Sequence, residues 1–346
     1  MSSKAINSAV NRVGQVTQQL SSQAPIKQQL RMSSTANTVH RLNTGAPMPA
    51  LGFGTWQDKD AQEGAVETAL KVGYRHIDTA RIYGTEPMVA AGIKKSGVPR
   101  DQIFITTKLW NNQHDPKSVE PALDASLKDL GVDYVDLYLM HWPSPFQDGD
   151  NKFPKDNDGA VIPGSADYVD TYKAMEECQK KGKTKAIGVS NFSQSEMERL
   201  VKETSIVPAA HQLEMHPWLQ QHGFDKWHSD KGIHIMQYSP FGNQNPIYDG
   251  GKDMGKLIED PTLVEIGKKY GKSGAQVALA WGIAHGRTVL PKSKTESRIK
   301  DNLEGDFKLD SEDVEKIDGI DKKLRFNDPS KNFKWNFYAD LEGKQG

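Results

Sequence analysis

The sequence predicts a single-domain (β/α)8 TIM barrel, and three observations predict it. From Met48 on, short apolar runs alternate with amphipathic stretches. Strict β-then-α alternation implies parallel strands joined by crossover helices, and eight such units in about 250 residues is the size of this barrel. No internal repeat or low-complexity linker divides the chain after residue 37. The alternative, a doubly wound sheet, usually carries a glycine-rich turn after its first strand. GFGTWQ has two of the three glycines of that fingerprint and then fails.

The strand runs, in order, are LGFGTW (51–56), HIDTA (76–80), IFITTKLW (103–110), VDLYLMHW (135–142), KAIGVSN (185–191), PAAHQLEM (208–215), HIMQYSP (234–240) and TVLPKS (288–293). Between them lie helix patterns. Val66, Ala69 and Leu70 share a face, and Gly73 supplies the stop. Val119, Leu123, Leu127 and Leu130 form a second stripe, ended by Gly131. Ser193 and Glu196 make a capping box that opens the helix after strand five, and Ser273 with Gln276 makes another before strand eight.

Residues 1–36 are set apart as an N-terminal extension, leaving 37–346 for the barrel. Residues 1–57 hold no Asp or Glu, yet contain Lys4, Arg12, Lys27, Arg31 and Arg41. Ile6, Val10, Val13, Val16 and Leu20 recur at helical spacing. An acid-poor amphipathic start describes an organelle transit peptide; its thin basic content favours a disordered tail. Cytoplasmic location is expected, with mitochondrial targeting as the alternative.

Bulk properties exclude several classes. The net charge of −1 gives no nucleic-acid surface. No apolar run approaches the ~20 residues of a membrane helix. One cysteine, Cys178, cannot form an internal disulfide or build a cysteine zinc site. His216 and His222 are close in sequence but read as core or solvated residues, so no metal is expected. With no coiled-coil seam or docking stripe, a monomer is expected.

In such a barrel chemistry gathers where strands end. Asp78 ends strand two and Tyr83 follows it; Lys108 ends strand three, and His141 ends strand four. Singly, each has a bland reading as cap or core residue. Together on adjacent strand ends they form a set. A buried ammonium needs a partner, and Asp78 is one strand away. A tyrosine with a pKa of ~10 is a poor proton source, and a neighbouring Lys⁺ lowers that value. His141 can orient a carbonyl oxygen while Tyr83 protonates it. No metal, cysteine or GxSxG chemistry is in view, so the electrons must come from a bound cofactor.

GFGTW, GYRHIDTARIYGTE, ITTKLW, DLYLMHWP, GVSNF, QLEMHP, YSPFG and LPKSKTESRIKDN occur in the order of the motifs of the aldo-keto reductase family, which the chain resembles over about residues 38–325. The insert around 144–167 looks like that of fungal NADP-dependent glycerol dehydrogenases and aldehyde reductases. The resemblance implies a TIM barrel binding NADP(H) without a Rossmann domain, with Tyr83 as general acid, Lys108 and Asp78 tuning it, and His141 orienting the carbonyl. It places the nicotinamide against Ser190, Asn191 and Gln212, with Tyr238 stacked on the ring, and His211 as packing. Thr55 joins the cofactor set, and Ser239 and Phe241 begin the loop after strand seven. Lys292, Ser293 and Arg298 are implied as the 2′-phosphate site, where barrels often bind phosphate, with Asn302 at the adenine end.

Trp56 and Trp142 are the expected substrate walls, together with His141; Trp110 reads equally as rim packing. The insert and the tail at 326–343 are polar and should form the pocket rim. They lean towards small hydroxylated carbonyl or alcohol substrates such as glyceraldehyde, dihydroxyacetone or glycerol. The rival reading is a regulatory, partner-binding barrel of the same family. DGGKDMGKL (249–257) imitates a phosphate-binding P-loop, with Leu257 where a Ser or Thr should be. It joins no strand to a helix, so it reads as a glycine-rich flap, with Lys256 a candidate cofactor contact.

Overall fold

The computed structural model of the protein describes residues 38–245 and 254–345. The extension at 1–36 and most of the DGGKDM stretch lie outside the described residues. A short antiparallel hairpin, β1 (Val39–Arg41) and β2 (Pro47–Pro49), comes first. The strand pattern gave no sign of it, because two of the three residues of β2 are prolines.

Eight parallel strands follow in chain order: β3 (Phe53–Gly54), β4 (His76–Asp78), β5 (Phe104–Leu109), β6 (Leu137–Met140), β7 (Ile187–Ser190), β8 (Ala210–Glu214), β9 (His234–Tyr238) and β10 (Thr288–Leu290). Each expected run contains one. The sheet closes on itself where Gly52 N donates to Val289 O at 2.9 Å and Gly54 N to Pro291 O at 3.0 Å. Closure removes the exposed edges of an open sheet, so the doubly wound alternative is excluded.

The connecting helices are α1 (Gln62–Val72), α2 (Glu86–Ser96), α3 (Pro116–Leu130), α4 (Tyr168–Lys180), α5 (Gln194–Glu203) and α6 (His222–Lys231). Two helices, α7 (Pro261–Tyr270) and α8 (Gly274–Ala284), separate β9 from β10, and α9 (Glu296–Leu303), α10 (Ser311–Asp318) and α11 (Ser330–Phe333) follow it. The stop at Gly131 is left-handed, and both capping boxes form reciprocally.

The strand period of two sorts side chains into two cores. Ile105, Tyr138, Met140, Ile187 and Val189 face outwards, clustering with Val119, Leu123, Met175 and Leu200 of the helices. Phe104, Leu137, Leu139, Ala210, Met236 and Leu290 face the lumen, where Leu42 and Met48 of the hairpin region join them. The hairpin therefore plugs the lumen end away from the strand C-termini. Gly188 of β7 is required by close approach: a Cβ there would meet Ala210 O at 2.2 Å.

Candidate active site

The lumen-facing parity continues upward on each strand into polar residues. The inward series 76, 78; 104, 106, 108; 137, 139, 141; 188, 190; 210, 212, 214; 234, 236, 238 and 288, 290, 292 brings Asp78, Lys108, His141, Ser190, Gln212, Tyr238 and Lys292 to the upper part of the lumen, with Glu214 one step beyond Gln212. Seven strands thus deliver an inward side chain from their upper ends to one place. The barrel below them is packed, with apolar side chains and the hydrogen-bonded pairs His76–Thr106 and His234–Thr288; the rim is polar because ligands can reach it.

Lys108 is fully buried, and its Nζ donates to Asp78 Oδ1 at 2.6 Å and to Thr79 O at 2.9 Å. Burial pulls its pKa below the usual value, while the Asp78 carboxylate, with Glu86 farther off, pushes it back. Gln212 Nε2 donates to the other Asp78 oxygen at 2.7 Å, and Thr55 Oγ1 donates to Asp78 O at 3.0 Å. The carboxylate is thus held from both sides of the lumen.

Tyr83 lies in a 3-10 turn, Arg81–Tyr83, just beyond β4. Lys108 Nζ sits 5.4 Å from the centre of its ring, and its ring centroid is 5.8 Å from that of His141 at 77°. Burial, then the charge of Lys108 and His114, depresses the His141 pKa well below the usual histidine value, so the imidazole is neutral at pH 7. Its Nδ1 is buried without a hydrogen-bond partner among the described residues. The structure brings Asp78, Tyr83, Lys108 and His141 together.

Opposite them, Asn191 Nδ2 donates to His141 O at 2.9 Å and to Ser190 Oγ at 3.0 Å. Tyr238 OH donates to Asn191 Oδ1 at 2.7 Å and accepts from Asn327 Nδ2 at 3.1 Å. These bonds fix the Tyr238 ring. Asn191 (φ 63°) and Ser239 (φ 48°) are left-handed without being glycine; such strain clusters at functional sites. His211 points outwards by strand parity. Its Nε2 accepts from Phe192 N at 3.1 Å, so its Nδ1–H faces His228 Nε2 at 2.7 Å, and His228 Nδ1 faces Phe224 O at 2.6 Å. His211 is packing, as expected, and it braces the turn that carries Asn191.

Past β10, Lys292 pairs with Asp58, and so does Lys294, at 2.7 Å. Ser293 Oγ accepts from Thr295 N at 3.1 Å, and Thr295 begins α9 without a side-chain cap. Arg298 is exposed, and Asn302, one turn on, is buried. Phe241 packs against the outer core. Lys256 donates to Asn243 O at 3.0 Å, closing the loop base, and Leu257 is fully buried. The P-loop likeness ends there: the residue in the hydroxyl position is core.

Trp142 and Trp110 are buried and Trp56 partly so. Trp110 stands 5.2 Å from His141, and its Nε1 donates to Lys152 O at 2.7 Å, tying the insert to the site. Phe333 and Phe337 of the tail lie 5.6 and 4.7 Å from Trp142, and Phe146 of the insert is 5.0 Å from Phe333. Insert and tail are polar in composition, yet they turn aromatic rings towards the site. Lys334 and Asp156 pair on the exposed side at 3.3 Å. The expected polar rim is therefore an aromatic wall with a polar outer surface.

Sequence reasoning missed three acids. Glu86 is buried, accepts from Thr107 Oγ1 at 2.7 Å and pairs with Arg81 at 3.0 Å. As an acid at a helix start it looked like a first-turn residue. Glu214 accepts from Phe326 N and Asn327 N, both at 2.8 Å, and pairs with His216 at 3.0 Å. It anchors the tail, and its only signal was a carboxylate at the end of an apolar strand. Asp58 gave no signal. Among the described residues no cluster could hold a metal ion and no helix is long and apolar enough to cross a membrane.

Residues 50–322 match the aldo/keto reductase family. The chain belongs to that family. It is 47% identical over 296 residues to an uncharacterized oxidoreductase of Schizosaccharomyces pombe, covering 84% of this chain and 91% of that one. It is 42% identical over 300 residues to aldo-keto reductase family 1 member A1 of Xenopus tropicalis, covering 85% and 91%. The human protein of that name is 40% identical over 292 residues, covering 82% and 90%. This aldo-keto reductase is an oxidoreductase of the carbonyl-reducing kind, its barrel that of the family.

Proposed function

We propose that the protein reduces aldehydes and ketones to alcohols with NADPH, reversibly. Tyr83 is the general acid and base, Lys108 and Asp78 tune it, and His141 orients the carbonyl. The observation that carries this is the buried Lys108–Asp78 pair beside Tyr83 and a neutral His141. A cation beside a phenol favours its ionised form, so proton transfer from Tyr83 to a forming alkoxide is eased. A neutral imidazole can donate one hydrogen bond to the carbonyl oxygen without competing for that proton.

The chain's residues fit a nicotinamide dinucleotide. Ser190, Asn191 and Gln212 offer a hydroxyl and two amides for a carboxamide, and Tyr238 is held as a platform. Gln212 gives its amide hydrogens to Asp78, which leaves its carbonyl to accept from an incoming amide. Lys292, Ser293, Arg298 and the uncapped start of α9 suit a 2′-phosphate, which supports NADP(H) over NAD(H). The cofactor, when bound, supplies the hydride. Trp56, Trp142 and the tail phenylalanines exclude water around the carbonyl.

Small substrates such as glyceraldehyde, dihydroxyacetone or glycerol are the preferred candidates, with the aromatic wall supporting aldehydes that present an apolar face. We infer a cytoplasmic monomer, in keeping with the buried free thiol of Cys178. The test is NADPH oxidation with DL-glyceraldehyde. Tyr83→Phe should lower turnover by at least ~100-fold, the scale of a lost general acid. Unchanged turnover would refute the mechanism; NADPH binding without wild-type turnover would favour a partner-binding barrel.

A further inference from the structure

We propose that Asp58 is an internal stand-in for the 2′-phosphate of NADPH, occupying the Lys292–Lys294 cation pair until the cofactor displaces it. This rests on the reading of Lys292 and Ser293 as the phosphate site, and it adds a residue that loosens the cofactor and limits its affinity.

The placement follows from barrel closure. β3 and β10 are neighbours: Gly54 N bonds Pro291 O at 3.0 Å, and a Cβ on Gly54 would lie 3.5 Å from Lys292 Cβ. The turn after β3 therefore stands over the end of β10. Asp58 Oδ2 takes Lys292 Nζ, and Asp58 Oδ1 takes Lys294 Nζ at 2.7 Å. One carboxylate thus bridges the two ammonium groups that flank Ser293. Hydrogen bonds from Lys292, then Lys294, hold the Asp58 carboxyl below its usual range, so it is an anion throughout the neutral region.

The turn is built to present this carboxylate and to give it up. Gln57 (φ 66°) and Asp58 (φ 51°) are consecutive left-handed residues without a glycine, a conformation that contacts must maintain. Those contacts fall on the backbone and on Gln57: Gln62 Nε2 donates to the Gln57 carbonyl at 2.6 Å, Asn245 Nδ2 donates to Gln57 Oε1 at 2.9 Å, and Ala61 N donates to Asp58 O at 2.9 Å. The turn's backbone is pinned, while the Asp58 carboxylate is held by the two lysines alone among the described residues. That side chain is 27% exposed, so it can leave without crossing the core.

The competition is set by charge. A phosphate monoester carries about −1.5 to −2 at pH 7, against −1 for a carboxylate, and has three strong acceptor oxygens for Lys292, Lys294 and Arg298. NADPH can displace Asp58. NADH, with a neutral hydroxyl there, cannot, and leaves the pair intact. Asp58 therefore weakens binding of the phosphorylated cofactor alone and hastens its release.

The experiment is calorimetric titration of the purified full chain with NADPH, NADH and adenosine 2′,5′-bisphosphate. Asp58→Asn and Asp58→Ser should tighten NADPH and the bisphosphate about three- to tenfold, the size of two partly exposed ion pairs, and leave NADH unchanged. Stopped-flow release of NADP⁺ should slow to match. The unchanged NADH affinity shows that the variants fold. If both variants bind NADPH no tighter while Lys292→Ala weakens NADPH selectively, Asp58 is no competitor and the proposal is overturned with the phosphate site intact. If Lys292→Ala weakens NADPH and NADH equally, the phosphate site itself is misplaced and the proposal falls with it.

Discussion

At the scale of single residues, Lys108 concentrates the most consequence. Its ammonium is fully buried and donates to Asp78 and Thr79 O. Lys108→Met leaves the Asp78 carboxylate buried without its cation, a change that costs ~3–5 kcal/mol. Urea denaturation should show that loss. The double variant Lys108→Met/Asp78→Asn removes both charges and should recover most of the stability, while turnover stays low in both. Recovery of turnover along with stability would mean that the pair is structural only. The pair was legible in the sequence, because a lysine ending an apolar strand demands an acid nearby. Asp58 was not. It lies in the turn after the first strand run, and its partners lie 234 and 236 positions away, so only folding discloses them.

At the scale of elements, Glu214 fixes the start of the C-terminal tail to the site, and Glu196, which accepts from Trp335 Nε1 at 2.7 Å, holds it farther on. Glu214 ends β8 and takes the backbone N–H groups of Phe326 and Asn327. Beyond them the tail carries Phe333 and Phe337 to Trp142. Glu214→Ala leaves those buried donors unpaired, at about 1–3 kcal/mol, and loosens the start of the tail. The KM for an aromatic aldehyde should rise several-fold while the Kd for NADPH changes little; equal changes in both would show that the tail does not line the substrate side. The strands and capping boxes could be read from periodicity and cap chemistry. The hairpin of β1 and β2 could not, since its value lies in Leu42 and Met48 filling a lumen that no local pattern describes.

At the scale of the whole molecule, the barrel buries histidines in their neutral form. Burial pushes His76, His114 and His234 down to about 3 and His228 to about 4. Each folded value lies below the free value of 6.5, so the unfolded chain binds more protons between them. Stability present above pH ~6.5 is therefore lost as pH falls towards 4 and 3. The lowered carboxylate pKa of Glu214 acts in the same direction lower down. The urea midpoint should fall steeply from pH 6.5 to 4; a flat midpoint would show these imidazoles to be solvated. By itself the sequence determined the barrel, the order of its strands and the residue types at their ends, because period-two and period-3.6 patterning are local properties that burial imposes on each element. Apart from Lys108 and Asp78, which polar residues meet was decided only by the closed barrel. Closure sets β3 beside β10 and turns an inward side chain from the upper end of seven strands to one point, and it buries the rings of two polar segments against that point. Those are long-range consequences of register and packing, which no stretch of the chain contains alone.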